Sequence, residues 1–359
     1  MKHIFVVHSH ITYLVALGVI MQDRLDLSNV MILGEKYQSD YGPFNIKQVS
    51  VTESFGKLLK SGKFTQIFNA NIEVDNVIDQ FVQDDEFTAY VPVFILLNRY
   101  IITHPKCKKY NIIEEGLAAY YDYFNVNQHA FIAGNRWRYS HGVKGLKERY
   151  SDIKKIIRGV SPSILAIPTF YTAYASDPNI CFYGLHDCTH SLSGNRQVLA
   201  LNRIIEHYNI PTQYNLDNSI IWIGDPEIFI KCSDSEFDRA ISRSLISYVN
   251  KYKENKVYVR FHQRETDAQR QKLIKFLQQA NVDYEIMDNT SIMEVELAKA
   301  SNVTMIGVYS SLLLYGGIMG HKSISICDYL PKSIRNGAEI VNKQVSIFYK
   351  FVEKINEYI

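Results

Sequence analysis

KVYVRFHQRETDAQRQKLIKFLQQANVDYEIM, residues 256–287, decides the fold. It opens on a β-branched and aromatic run, Lys256 to His262, and crosses a polar turn. Leu273, Ile274 and Leu277 follow at helical spacing, and a second apolar run, Val282 to Met287, closes it. Val, Ile and aromatic side chains suit a pleated surface, whereas apolar positions three and four apart line one face of a helix. Strand, helix, strand implies a parallel pair, because a crossover is needed to bring the chain back in the same direction.

The same alternation extends outward. SIIWIG, NVTMIG and SISIC read as further strands, and EFDRAISRSLISYVNKYKEN and IMEVELAKA as helices. In the first half HIFVVH, NVMIL, QIFNA and YNII read as strands, with helices from about Ile11 and over VPVFILLNRYIITH. Two such series give an α/β protein of two Rossmann-type, doubly wound domains with a ligand cleft expected between them, at the carboxyl ends of the strands. The break is set in the polar stretch YNIPTQYNLDNS, residues 208–219. The expected domains are 1–210 and 211–342, with a last helix, 343–359, packing back on the first.

The totals narrow the function. With 359 residues the chain is long enough for two cores. A formal net charge of +2 supplies no global field for nucleic acid. Tyrosine is abundant at 25 residues, which suits carbohydrate sites and ordinary cores alike. The cysteines, at 107, 181, 188, 232 and 327, are odd in number and form no CxxC, as expected of the reducing cytoplasm. Ile4 to Met21 carries no Lys, Arg, Asp or Glu, but His8, Ser9 and His10 interrupt it, so a strand and a buried helix are expected rather than a signal or a membrane span. Residues 136–158 hold eight Lys and Arg against Glu148 and Asp152. They read either as a solvated helix face or as a peripheral contact with the inner membrane or a lipid-linked acceptor.

Three stretches carry chemistry at predicted strand ends. In IIEEG, residues 112–116, Glu114 and Glu115 follow a strand and precede Gly116. A carboxylate there can take a proton from a hydroxyl, with its neighbour's charge making it a better base, while Gly116 allows a tight turn. The plainer reading is a helix first turn, where acids are favoured. In YVRFHQRE, Arg260 and His262 share one strand face, a pairing that suits a phosphate. In MIGVYSS, Gly307 precedes Ser310 and Ser311 at a helix start, which makes either an anion site or simple N-capping. Glu294 lies upstream, where it can accept from ribose hydroxyls. Two weaker metal patterns exist. Asp234-Ser235-Glu236 opens an amphipathic helix, and His186, Cys188 and His190 alternate in LHDCTH without a fourth ligand at a familiar spacing, so no metal is expected.

The order of carboxylate pair, His and Ser-Ser resembles the bacterial sialyltransferases and polysialyltransferases of lipooligosaccharide, O-antigen (lipopolysaccharide) and capsule synthesis. The resemblance implies a GT-B architecture and a metal-independent, inverting transfer from CMP-sialic acid to a galactose-terminated acceptor, by guess α2,3-linked. It implies Glu114 or Glu115 as general base, with Gly116 completing the motif, and His262 as the group at the donor phosphate. Ser310 and Ser311 become the phosphate-binding pair, Glu294 the ribose ligand, and IWIGDP, with Gly224, the first strand and loop of the nucleotide domain. Three features depart from the family pattern. His262 is followed by Gln263 where the family has Pro, His104-Pro105 precedes the acids and reads as a helix end, and Gly307-Val308-Tyr309 is less glycine-rich than in some members. Transfer of another CMP-activated acid such as Kdo, a UDP-sugar 2-epimerase and a non-catalytic glycan-binding protein remain as alternatives.

Overall fold

The computed structural model describes residues 1–35, 37, 39, 41–43, 45–51, 64–92, 96–120, 146–157, 160, 164–165, 167, 174–226, 228, 232–252, 256–332, 334–336, 345 and 347–358. The chain forms two compact units, Met1–Ile210 and Pro211–Ile359.

In the first unit, β1 (Lys2–Val7), α1 (His10–Gln22), β2 (Val30–Glu35) and β3 (Lys47–Val51) are followed by α2 (Phe64–Val82) and β4 (Phe87–Val91). Then come α3 (Leu96–Ile102), β5 (Cys107–Ile113), α4 (Leu146–Ile157), β6 (Phe182–Gly184), β7 (Arg196–Val198) and α5 (Leu201–His207). The strands are parallel in the order β3-β2-β1-β4-β5-β6-β7. From β1 the chain goes first to one side and then, at β4, to the other. That reversal places a ligand crevice outside the carboxyl ends of β1 and β4.

The uncharged N-terminal run is a buried strand and helix. Ten residues of α1, Ile11 to Ile20, are buried, and Gly18 leaves room for the Leu199 and Ile204 side chains. A helix enclosed on every side needs no polar face. Ser9 and Thr12 cap its start reciprocally. Among the described residues no helix is long and apolar enough to cross a membrane.

The second unit holds β8 (Ile220–Ile223), α6 (Asp234–Ile241), which runs through one π-helical stretch (Ser242–Ile246) into α7 (Ser247–Tyr252), and β9 (Lys256–Arg260). It continues with α8 (Asp267–Gln279), β10 (Asp283–Ile286), α9 (Met293–Lys299), β11 (Thr304–Gly307), α10 (Ser311–Ile318), β12 (Lys322–Ser325), α11 (Phe348–Phe351) and β13 (Glu353–Lys354). Its strands are parallel in the order β10-β9-β8-β11-β12-β13. Counted from each unit's first strand, both sheets begin 3-2-1-4-5-6, the dinucleotide-fold order. The opening stretch, 256–287, is β9, α8 and β10 as read.

Several expectations change. QIFNA lies inside α2, where buried Ala70, Val74, Ile78 and Phe81 repeat at helical spacing over a longer span than a five-residue window shows. Among the described residues of VPVFILLNRYIITH, Leu96–Ile102 are helix, while its first residue ends the fully buried strand β4 and Pro92 follows. LHDCTH is a series of turns, not a strand. In the basic segment 136–158, residues 136–145 and 158 lie outside the described residues.

The last residues, expected to form one helix, are a short helix, a strand and a turn. They belong to the second unit, where β13 pairs with β12, and Phe348, fully buried, stacks on Tyr309 at 4.2 Å between ring centroids. The cause is an open sheet edge at β12 beside an apolar surface that Phe348, Val352 and Ile355 cover. Phe348→Ala is therefore expected to destabilise the second unit by about 3–5 kcal/mol in urea unfolding. The transition of the first unit should stay in place.

Candidate active site

The first unit brings its chemistry to the carboxyl ends of β1 and β5. Glu114 has no exposed surface. Its carboxylate accepts from the Tyr120 hydroxyl at 2.6 Å, the Leu185 N–H at 2.7 Å and Thr189 Oγ1 at 3.4 Å. A buried carboxylate must be held this way to stay in the fold. Burial first, and then the Glu114 charge, pushes the Tyr120 phenol far up, so it remains a donor. Glu114 thus ties together the turn after β5 and the loop after β6, and it has no route to a substrate hydroxyl.

Glu115 turns the other way. It is a quarter exposed, and its Oε1 lies 2.8 Å from Nε2 of His8, just past β1. Its Oε2 has no hydrogen-bond partner among the described residues. Gly116 has φ of 47°, the left-handed region that Gly enters without strain, and this sharp turn sends the two carboxylates apart. The two acids that look equivalent in sequence are one fixed anchor and one partly exposed carboxylate.

In the second unit the ends of β9, β8 and β11 lie side by side. His262 is half-buried, and its Nδ1 accepts from the Arg264 backbone N–H at 3.0 Å. The ring proton is therefore on Nε2. Burial, and then the Arg264 charge, lowers the pKa of His262, which keeps the ring neutral near pH 7 with one N–H to offer. Ser310 caps α10 by accepting from the Leu312 N–H at 3.2 Å, and Ser311 is the first residue of that helix. The first-turn N–H groups and the Ser311 hydroxyl remain suited to an anion.

Arg260, Gly224 and Gly307 take structural roles. Arg260, only 8% exposed, spends its guanidinium on the loop between β10 and α9. It donates to the Asp288 carbonyl, to the Asn289 and Ser291 carbonyls at 3.1 Å each, and to Ser291 Oγ at 3.2 Å. That full set of backbone partners is why it is a brace and not the phosphate contact expected from its strand face. Glu294 is buried in the first turn of α9, near enough for its charge to act on Arg260. Gly224 donates its N–H to the Arg260 carbonyl at 2.8 Å, and a Cβ there would press on Glu265 and lie 2.9 Å from the His262 nitrogen. Gly307 is required because a Cβ would lie 2.9 Å from the Ile223 carbonyl oxygen. In these two glycines the small residue makes room for protein.

Asp234 and Glu236 open α6, with Ser233 and Glu236 forming a capping box. His190 is held neutral by burial, at about 3. Among the described residues no three His, Cys, Asp or Glu converge as a metal site.

Three residues with a bearing on the site carry no sequence signal of their role. Tyr120 and Thr189 fix Glu114, and Glu265 sits against Gly224. Glu265 is 4% exposed, and neither carboxylate oxygen makes a well-formed hydrogen bond among the described residues. Burial, chiefly, raises its pKa from 4.5 to about 7, with the Asp225 charge adding to the shift. The folded state therefore keeps this proton after the unfolded chain has lost it. The stability tied to that proton is complete below pH 4.5, falls as pH rises to about 7, and is gone above. Relative to the wild type, Glu265→Gln should gain on the order of 2–3 kcal/mol between pH 4.5 and 8, read as a rising difference in Tm.

With this geometry in place, comparisons with known proteins identify the chain's relatives. It is similar in structure to the UDP-GlcNAc 2-epimerase from Methanocaldococcus jannaschii, at 10% identity and a TM-score of 0.45, over 97% of this chain and 92% of that one. It is also similar to the 2,6-sialyltransferase of Vibrionaceae Photobacterium sp. JT-ISH-224, solved with CMP and lactose, at 10% identity and a TM-score of 0.49, over 98% of this chain and 78% of that one. No curated protein matches it in sequence. The alpha-2,8-polysialyltransferase (POLYST) family matches residues 44–327, which run through both units and include Glu115, His262 and Ser310–Ser311. The chain belongs to that family, within the bacterial sialyltransferases, and is a CMP-sialic acid-dependent glycosyltransferase.

Proposed function

We propose that the protein transfers sialic acid from CMP-sialic acid to a surface glycan of a bacterium by a single displacement with inversion, and that Glu115, not Glu114, is the base. The observation that carries the choice is the burial of Glu114 under three donors beside a Glu115 that is a quarter exposed. Glu115 takes the proton of an acceptor hydroxyl, whose oxygen bonds to the anomeric carbon. The bond from that carbon to the phosphate oxygen breaks, and the electron pair leaves with CMP. Neutral His262 stabilises the departing oxygen with its Nε2–H, and Ser311 and the α10 N-terminus hold the phosphate. CMP is a good enough leaving group that a hydrogen bond can replace full protonation. Glu294 is kept as the candidate ribose ligand. The residue types need no metal for a monophosphate donor.

A terminal galactoside joined α2,3 is the proposed acceptor. The family's own α2,8 description favours a second reading, in which the acceptor is itself a sialic acid. Competing donors separate by nucleotide: a Kdo transferase also answers to CMP, whereas a 2-epimerase answers to UDP.

In the purified protein, CMP well above its Kd should raise Tm while UDP and GDP leave it unchanged. Glu115→Gln should lower CMP release from CMP-sialic acid with lactoside or sialyl-lactoside about 10²- to 10⁴-fold, with the CMP shift intact. A shift with UDP alone, or wild-type turnover in Glu115→Gln, overturns the reading.

The cytoplasmic face of the inner membrane is the proposed working place, with peripheral contact through the segment 136–158. Tyr150, Ile153, Ile156 and Ile157 of α4 are exposed large apolar residues next to Lys154. The protein should sediment with vesicles containing phosphatidylglycerol and be released by about 0.5 M salt, which cuts the Debye length to about half of its roughly 8 Å at physiological ionic strength. Equal recovery from neutral vesicles counts against it.

A further inference from the structure

The loop between β1 and α1 contributes a residue that the reaction as written has not used. His8 follows β1, and Glu115 follows β5, with β4 lying between them in the sheet. Their side chains nevertheless meet, Nε2 to Oε1, at 2.8 Å. The meeting point is the crevice at the reversal of strand order, where α/β sheets hold ligands. His8 is not on a loose loop. Its N–H donates to Thr12 Oγ1 at 3.2 Å, and the next residue, Ser9, caps α1 in the reciprocal arrangement with Thr12. The backbone that carries the imidazole is therefore fixed to the first helix.

The ring's other nitrogen, Nδ1, is shielded from solvent. The imidazole thus turns its outer nitrogen to Glu115, and cannot itself be the group that meets an acceptor hydroxyl. Both partners are a quarter exposed, and an ion pair of that exposure contributes little to stability. Its use must be sought elsewhere. A carboxylate with one oxygen held by a donor keeps a single orientation. A displaced base lowers rate far more than it changes binding.

We propose that His8 is the positioning residue of the catalytic base, donating Nε2–H to Oε1 of Glu115 so that the carboxylate keeps one orientation at the crevice. This rests on the reading of Glu115 as the base.

The test compares kcat, KM for CMP-sialic acid, the CMP-induced Tm shift and unliganded Tm in the full chain. His8→Ala should lower kcat about 10- to 100-fold, leaving KM and the CMP shift within twofold and Tm near the wild type. His8→Gln, whose amide N–H reaches about as far as Nε2, should recover most of the rate. In a Glu115→Gln background, His8→Ala should do nothing more, because the two act as one unit. Wild-type kcat in His8→Ala, or the same fold loss in the Glu115→Gln background, overturns the proposal. If His8→Ala does not fold, His8→Asn replaces it, since its amide is too short to reach Glu115. Equal kcat in His8→Asn and His8→Gln then overturns the proposal. Full turnover in Glu115→Gln would instead sink the assignment of the base, whereas a crippled Glu115→Gln beside an intact His8→Ala sinks only the role of His8.

Discussion

A buried negative charge organises the carboxyl end of the first sheet. Glu114 is held by a phenol, a backbone amide and a hydroxyl drawn from the turn after β5 and the loop after β6. Taking such a charge out of water is tolerated only if its lone pairs are filled, so each donor is bound to its place. Glu115 inherits that rigidity through the peptide bond and the left-handed turn at Gly116. The availability of the second carboxylate is thus a consequence of the unavailability of the first.

The second unit uses the opposite charge in the same manner. Arg260 fills its donors with the carbonyls of the β10–α9 loop, and its own carbonyl receives the Gly224 N–H. The loop after β8 and the loop after β10 are thereby tied to one strand end, next to His262. In both units the buried ion fixes the loops at a strand end, and a neighbouring, more exposed group lies beside it.

The parallel order was legible in the sequence because buried strands in such sheets are continuous apolar runs, and SIIWIG, NVTMIG and KVYVRFH are of that kind. The short strands β6 and β7 were not, because three residues give no period to read. QIFNA misled for the opposite reason: a five-residue window cannot tell a strand from one face of a longer helix. The site was legible as residue types at strand ends. What could not be read was which of two adjacent acids faces inward, since that depends on Tyr120 and Thr189 as partners. Nor could the meeting of His8 with Glu115 be read, since one strand of the sheet and more than a hundred residues of chain separate them. Arg260 and the two glycines looked like ligand contacts because a residue that braces a loop and one that grips a phosphate are the same residue in sequence.

The edge position of β13 bears on how the molecule is made. The first unit has all its strands by Val198, so it can complete its sheet while the rest of the chain is still being synthesised. The second unit must wait. Until Phe348 and the strand at Glu353–Lys354 have left the ribosome, β12 is an unpaired edge beside an uncovered apolar surface. During that interval the nascent chain offers a strand edge that another copy can pair with, so exposure to misassembly lasts until residues 348–354 have emerged.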